Sequence, residues 1–256
     1  MVFPPPLDPD YGQGAFRRAL RLRVAAGRVL VDLEDANHAF RLRLAHDGQH
    51  VTDVAAETLR HPFVTCGEAV GPLRRIVSCP LDADAVRLRS GFPQGQNCTH
   101  LHDMTLLALA HAREVGLERH YEITVLDERA GRIEASIDCD GTTVHDWMVR
   151  DHAIAAPEAH AGRPMMRGFY AWVAQSYSGL ALEAAVALQR GYFVAQSRRY
   201  RSWPATDYPA KVNNMPDGTC YSYNHGVVDR ALRMEGTVWD LTHRRDHLLQ
   251  FRLQPG

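Results

Sequence analysis

The sequence predicts a fold of the α+β class. The first supporting observation is the alternation of apolar and polar residues, typical of antiparallel strands, in residues 19–57 and again in residues 121–149. The second is a pair of stretches rich in Ala and Leu with helical spacing, which begin after Cys98 and at Phe169. At 256 residues the chain can form one large domain or two small ones with a sizeable core.

The first half is expected to begin with antiparallel hairpins. Residues 19–33 alternate around Gly27, which is typical of two short strands joined by a turn. Residues 40–57 alternate in the same way around a turn at Gly48, so this segment is predicted to be a second hairpin.

Helices are expected after these hairpins. Pro72 lies near the first turn of a short predicted helix. The stretch LHDMTLLALAHAREVG, which starts at Leu101, has apolar residues near helical spacing, and Gly116 is its predicted terminator. Cys98 is therefore expected at or just before the N-terminus of the clearest helix of the first half.

The second half is predicted to form another small antiparallel sheet followed by helices. Its predicted strands are residues 121–125, 132–138 and 144–149. Helices are expected in residues 169–194, with breaks near Gly179 and Gly191, and residues 227–234 form a last amphipathic stretch. We predict two regions, a core at residues 14–118 and an extension at residues 119–256.

Composition and charge exclude several classes of function. The chain has 29 basic and 30 acidic residues, and no block of like charge, so the sequence predicts no nucleic-acid surface. No apolar stretch has the length of a membrane span, and no signal peptide is evident, so we expect neither membrane insertion nor export. The five cysteines are an odd number without the spacing of a disulfide framework, which indicates thiols in the cytoplasm.

The one locally basic segment is RRALRLR at residues 17–23. Its alternation after Ala19 is typical of a strand with outward arginines, which favours a solvated face, with phosphate binding as the alternative. The expected partner is a small-molecule substrate, and the composition is compatible with a homo-oligomer.

Cys98 is the first candidate for chemistry. Backbone N–H groups and the dipole at a helix start favour a thiolate, the form that acts as nucleophile or metal ligand. The alternative is a small buried apolar side chain. His100 and Asp103 are three residues apart in the first turn of the same predicted helix, so a ligand with an orienting carboxylate, or a pair of catalytic groups, is compatible with the spacing.

Cys66 and His38 are weaker candidates. Cys66 lies in PFVTCGEA, where the hairpin region passes into the next helix, and His38 stands before the strand AFRLRLA. An isolated histidine there is more often a satisfied surface residue. For Cys220, in GTCYSY, a structural role is favoured. The sequence contains no GxGxxG, GxxxxGK[ST], GxSxG or HExxH, so nucleotide-cradle, serine-hydrolase and zincin functions have no motif support.

Three segments in combination resemble a bacterial family of unknown function, DUF2889. They are HAFRLRLAHDGQHVTDVAAE, PFVTCGEA and NCTHLHDM, within residues 17–115. In that family a histidine precedes the first strand, a cysteine follows a Pro-aromatic pair, and CTHL begins a helix. The resemblance supplies no activity.

More distantly, the same region is similar to the iron–sulfur scaffolds of the NifU and IscU type, which implies a SufE/NifU-like hairpin plus helices in the first half. On that alignment Cys66 and Cys98 match two scaffold cysteines, and His38 matches its ligating aspartate. The resemblance thus implies a zinc or iron site held by His38, Cys66 and Cys98, with His100 and Asp103 as catalytic residues of a metal-dependent enzyme. The open alternatives are a metal or sulfur carrier and a small-molecule binding module without catalysis.

Overall fold

A computed structural model describes residues 6–200 and 209–251, which form a mixed α+β fold. Its centre is one antiparallel sheet of eight strands in the order β4-β3-β2-β1-β5-β6-β7-β8. The strands are β1 (Ala15–Ala25), β2 (Arg28–Asp35), β3 (Ala39–His46), β4 (Val51–Arg60), β5 (Glu118–Leu126), β6 (Ile133–Cys139), β7 (Thr142–Arg150) and β8 (Ala153–Ala156).

Each half of the chain contributes four successive strands to this sheet. Strands β1 to β4 form one meander and β5 to β8 another, and the two join where β1 pairs with β5, with Leu20 opposite Tyr121. The expectation of two separate small sheets is therefore wrong. The predicted boundary at residue 118 coincides with the start of β5, but the hydrogen-bonded ladder continues across it.

Five helices accompany the sheet in the described part of the chain. They are α1 (Val70–Leu73), α2 (Ala85–Gly91), α3 (Thr99–Ala110), α4 (Phe169–Ser176) and α5 (Gly179–Ala195). Helix α3 packs on β2 and β3, and α5 packs on β5, β6 and β7. Both contribute to one continuous apolar core together with the inward side chains of the sheet, such as Phe16 and Leu42.

Two helix limits differ from the prediction. Helix α3 ends at Ala110, before the predicted terminator Gly116, which adopts a positive φ in the following loop. Helix α5 runs through Gly191 without a break. A Cβ atom at Gly191 would lie 2.6 Å from Cγ2 of Ile123, so this glycine permits close packing of the helix on the sheet.

The C-terminal segment crosses the face of the sheet opposite to the helices. There Arg17 donates to the Thr242 carbonyl at 2.9 Å, and the guanidinium of Arg41 lies over the ring of Phe251. Arg21 and Arg23 also face this side and bind the buried Asp32, so the basic segment is largely engaged in ion pairs. The amphipathic stretch at residues 227–234 forms turns and isolated bridges. Within the described ranges, no helix combines the length and apolar character needed to span a bilayer.

Candidate active site

A cavity of 1340 Å³ lies at one end of the sheet, where α3 begins and α5 ends. It is larger than the roughly 300–1,000 Å³ of typical ligand pockets. Residues 209–243 supply much of its remaining wall. The polar and thiol side chains that line it include His38, Cys66, Cys98, His100, Arg190 and Cys220. The structure thus brings His38, Cys66, Cys98 and His100 to one cavity although they are far apart in sequence.

A buried ion pair lies directly behind the two histidines that line the cavity. Arg18 and Asp35 are directly opposed on β1 and β2, on the face covered by helices, and are 2% and 0% exposed. Arg18 donates from Nε and Nη2 to Oδ2 of Asp35, at 2.9 and 2.6 Å. Burial alone would raise the pKa of Asp35, but the Arg18 guanidinium and His38 outweigh it and hold this pKa well below its usual value. Asp35 is therefore ionised.

Asp35 fixes the imidazole of His38. Its Oδ1 accepts from the backbone N–H groups of Asn37 and His38, at 2.7 and 2.8 Å, and from Nδ1 of the His38 ring at 3.1 Å. Because an ionised carboxylate only accepts, Nδ1 of His38 carries a proton. In the neutral ring, Nε2 is then the basic atom. His38 is 9% exposed, not the solvated surface residue that an isolated histidine usually is.

His100 is held in the opposite tautomer. Nη2 of Arg18 lies 2.8 Å from Nε2 of His100, and a guanidinium can only donate, so Nε2 accepts and Nδ1 carries the proton. Burial, with the charges of His38 and Arg18, holds the pKa of His100 well below its usual value, so this ring is neutral. The two imidazole rings are 4.0 Å apart between centroids and tilted by 35°.

Asp35, His38 and His100 are the described residues whose possible metal-ligand atoms all lie within 4.8 Å of one another. The hydrogen bonds that these side chains already accept argue against a metal ion at this group. The Asp35 carboxylate already accepts five hydrogen bonds, and Nε2 of His100 accepts from Arg18. The buried Arg18 guanidinium contacts both Asp35 and His100, and its positive charge repels a second cation. These three residues therefore fit a resident metal poorly.

The two predicted cysteines lie in the cavity wall as thiols. Cys66 begins a turn of 3₁₀ helix at Cys66–Ala69, and Cys98 is the residue immediately before α3, as the sequence predicted. Burial raises the pKa of both side chains above that of an ordinary thiol. The expected effect of the helix start, a thiolate at Cys98, is outweighed by this desolvation.

Asp103 does not line the cavity. Its Oδ2 accepts from Nε of Arg190 at 2.6 Å, and His102 lies 3.3 Å from its other oxygen. Burial would raise its pKa, but Arg190 and His102 lower it below the usual value. Arg190 itself reaches the cavity. Asp103 thus contacts the site through Arg190 and is a positioning residue in this geometry.

Sequence reasoning missed Arg18 and Asp35, and it favoured a structural role for Cys220, which lines the cavity. A usable signal existed for the first two. Arg18 is in phase with Phe16 and Leu20 on the apolar face of β1, and Asp35 is in phase with the apolar residues of β2. Two opposite charges on apolar strand faces indicate a buried pair. No local pattern marks Cys220.

Comparisons of the chain with family models, with curated proteins and with solved structures find no match. The similarity to DUF2889 and to iron–sulfur scaffolds accordingly stays a prediction from the sequence motifs, and the SufE/NifU-like fold stays one with it.

Proposed function

We propose that this protein is an enzyme that catalyses proton transfer at the carbon next to the carbonyl group of a small, largely apolar compound. One observation carries the proposal: a buried Arg18–Asp35 ion pair fixes two neighbouring imidazoles in opposite tautomers on the wall of a large cavity. One ring offers a base and the other offers a hydrogen-bond donor. Enzymes that remove a proton next to a carbonyl group need this combination.

In the proposed reaction, Nε2 of His38 removes a proton from the carbon next to the carbonyl group. The ionised Asp35 stabilises the imidazolium that forms, because it accepts the hydrogen bond from Nδ1. Nδ1–H of His100 donates to the carbonyl oxygen as negative charge develops there. Return of the proton from His38 to the same or another atom completes an exchange or an isomerisation.

The apolar part of the substrate is expected to contact the aromatic wall. Phe63, Phe193 and Tyr223 line the cavity, and the rings of Phe63 and Tyr223 meet edge to face at 5.6 Å between centroids. Aromatic walls with few polar groups are usual in sites for small organic ligands.

Hydrogen–deuterium exchange across a panel of carbonyl compounds tests this function. Ketones, aldehydes and 2-oxo acids with α-hydrogens are incubated with the protein in D₂O and followed by NMR. We expect catalysed α-exchange for at least one compound, and a loss of about 10²–10⁴-fold in the His38→Gln variant, the range typical of a general base. His46→Gln, which changes another histidine of the same hairpin region, should keep the rate. An absence of exchange for every compound, or equal rates in wild type and His38→Gln, would contradict the proposal.

The same assay tests the predicted zinc or iron ion at His38, Cys66 and Cys98. Acid–base chemistry at His38 requires no ion, so exchange should persist after dialysis against a chelator. Activity that disappears with the chelator and returns only with Zn²⁺ or Fe²⁺ would favour the predicted ligand set instead.

A further inference from the structure

Three cysteines from separate parts of the chain line the same cavity. Cys66 lies in a 3₁₀ turn after β4, Cys98 at the start of α3, and Cys220 just before a second 3₁₀ turn at Tyr221–Tyr223. The acid–base reaction proposed for His38 uses none of them.

Hydrogen bonds connect the neighbours of Cys220 to the surroundings of the other two cysteines. On one side, the carbonyl of Thr219 accepts from Oγ1 of Thr99, the residue after Cys98, at 2.7 Å. On the other side, Oγ of Ser222 lies 3.5 Å from Sγ of Cys66 and 2.9 Å from Oγ1 of Thr65. The short segment 219–222 therefore connects the surroundings of Cys66 and Cys98, with Cys220 inside it.

Polar N–H or O–H groups lie near each of the three thiols. The backbone N–H groups of His100 and Leu101 at Cys98, and of Ser222 and Tyr223 at Cys220, act to lower the pKa of the thiol, although neither side chain accepts a helix-capping hydrogen bond. The Ser222 hydroxyl is within hydrogen-bond distance of the Cys66 sulfur. Such donors stabilise negative charge on sulfur. Burial nevertheless raises the pKa of all three thiols, that of Cys220 to about 12, and repulsion between the sulfurs adds to this effect at Cys98 and Cys220.

We propose that Cys66, Cys98 and Cys220 together bind one thiophilic divalent metal ion, such as Zn²⁺, Co²⁺ or Cd²⁺. Each thiol that becomes a ligand loses its proton to solvent and forms one metal–sulfur bond, so three protons are released for each ion bound. Cavity solvent or a ligand supplies the fourth position of a tetrahedral site. This set differs from the predicted one because Cys220 replaces His38. The ring of His38 is hydrogen-bonded to Asp35 and has the proposed role of general base.

Metal binding requires the sulfurs to move closer together. Metal–sulfur bonds of about 2.3 Å place tetrahedral ligands about 3.8 Å apart. The three sulfurs are not among the groups whose atoms all lie within 4.8 Å of one another. Rotation of a cysteine side chain between staggered rotamers moves Sγ by about 3 Å, so we expect side-chain rotation to bring the three sulfurs to this spacing.

Titration of the full chain with Co²⁺ tests the proposal, under reducing and anaerobic conditions. We expect the thiolate-to-cobalt charge-transfer absorption to saturate at one equivalent, and Cd²⁺ to displace the cobalt. Cys220→Ser should weaken Co²⁺ affinity at least about tenfold, as loss of one ligand implies, while circular dichroism confirms that it is folded. Cys79→Ser, a matched change outside the cavity, and His38→Ala should retain wild-type affinity.

Two results would overturn the trithiol site. One is the absence of a charge-transfer band in the wild-type protein with Co²⁺ in excess. The other is unchanged affinity in Cys220→Ser, and a simultaneous loss in His38→Ala would assign the ion to the predicted set of His38, Cys66 and Cys98. Because the readout is metal absorption, neither result depends on the proton-transfer reaction.

Discussion

At the scale of single residues, Arg18 and Asp35 determine what the two histidines can do. Taking both charges out of water is costly, and a buried ion pair is often no more stabilising than a well-packed apolar pair. The pair persists here in a position where one partner bonds to His38 and the other to His100. Its main consequence is therefore the fixed protonation of the two imidazoles.

Removal of one charge should cost more than removal of both. Asp35→Asn leaves the Arg18 guanidinium buried without a counter-charge, so we expect a loss of about 3–5 kcal/mol in the free energy of unfolding, measured by urea denaturation. The double variant Arg18→Met with Asp35→Asn, which keeps an Oδ1 acceptor for the backbone N–H groups of Asn37 and His38, should be less destabilised than Asp35→Asn alone. A loss below about 1 kcal/mol for Asp35→Asn, within the range of a surface pair, would show that the charge of Arg18 is compensated elsewhere.

At the scale of elements, a further histidine, His111, joins α3, β5 and α5 at the end of these helices opposite to the cavity. His111 follows α3 and is 8% exposed. Its Nδ1 lies 2.8 Å from a carboxylate oxygen of Glu114, and its Nε2 lies 2.6 Å from one of Glu183 in α5. Glu183 also binds Arg119 and Tyr121 of β5. The hydrogen bond that His111 donates to Glu183 raises the pKa of His111, and Glu114 adds to this effect against the opposing effect of burial.

This histidine predicts a specific pH dependence of stability. A pKa that is higher in the folded state than the unfolded value of about 6.5 means that protonated His111 stabilises the fold below pH 6.5. That contribution is lost as pH rises through the folded pKa. We expect the free energy of unfolding of wild type, relative to His111→Gln, to decrease with pH above about 6.5. His225→Gln changes an exposed histidine and should reproduce the wild-type profile; parallel profiles for wild type and His111→Gln would refute the assignment.

At the scale of the whole molecule, Arg60 joins the C-terminal segment to the sheet. Its Nη1 donates to the carbonyls of Ala36 and Thr237, both at 2.9 Å, and its Nη2 donates to the carbonyl of Asp35 at 2.6 Å. The guanidinium lies 4.0 Å from the centroid of the Trp239 ring. Trp239 also lines the cavity, so this contact joins the cavity wall formed by the C-terminal segment to the sheet.

Replacement of Arg60 should release that segment. Arg60→Met removes the donors and leaves buried carbonyls unpaired, which costs about 1–3 kcal/mol for such a group. We expect trypsin to cleave at Arg244 and Arg245 at least about tenfold faster than in wild type, which corresponds to about 1.4 kcal/mol of local stability. Arg43→Met, on an exposed position of β3, should leave the rate unchanged. Equal cleavage rates in both variants would mean that other contacts hold the segment.

Several features follow from local sequence alone because their causes are local. Strand alternation around Gly27 and Gly48 fixed the first two hairpins, and the loop before Thr99 followed by an apolar helical stretch fixed the start of α3 at Cys98. Cys66, Cys98 and His38 were candidates because each stands at the end of an element, and His100 was one because it lies in the first turn of the helix after Cys98. All four line the same cavity.

Tertiary structure alone decided the partners of those elements and residues. Alternation shows which face of a strand is apolar but not which strand pairs with it, so the β1–β5 ladder that unites both halves was not predictable. Helical spacing put His100 and Asp103 in one turn, but Asp103 pairs with Arg190 of α5 and does not line the cavity. The same holds for Arg18 with His100 and for Ser222 with Cys66. These contacts depend on how separate parts of the chain meet at the end of the sheet, and no short segment contains that information.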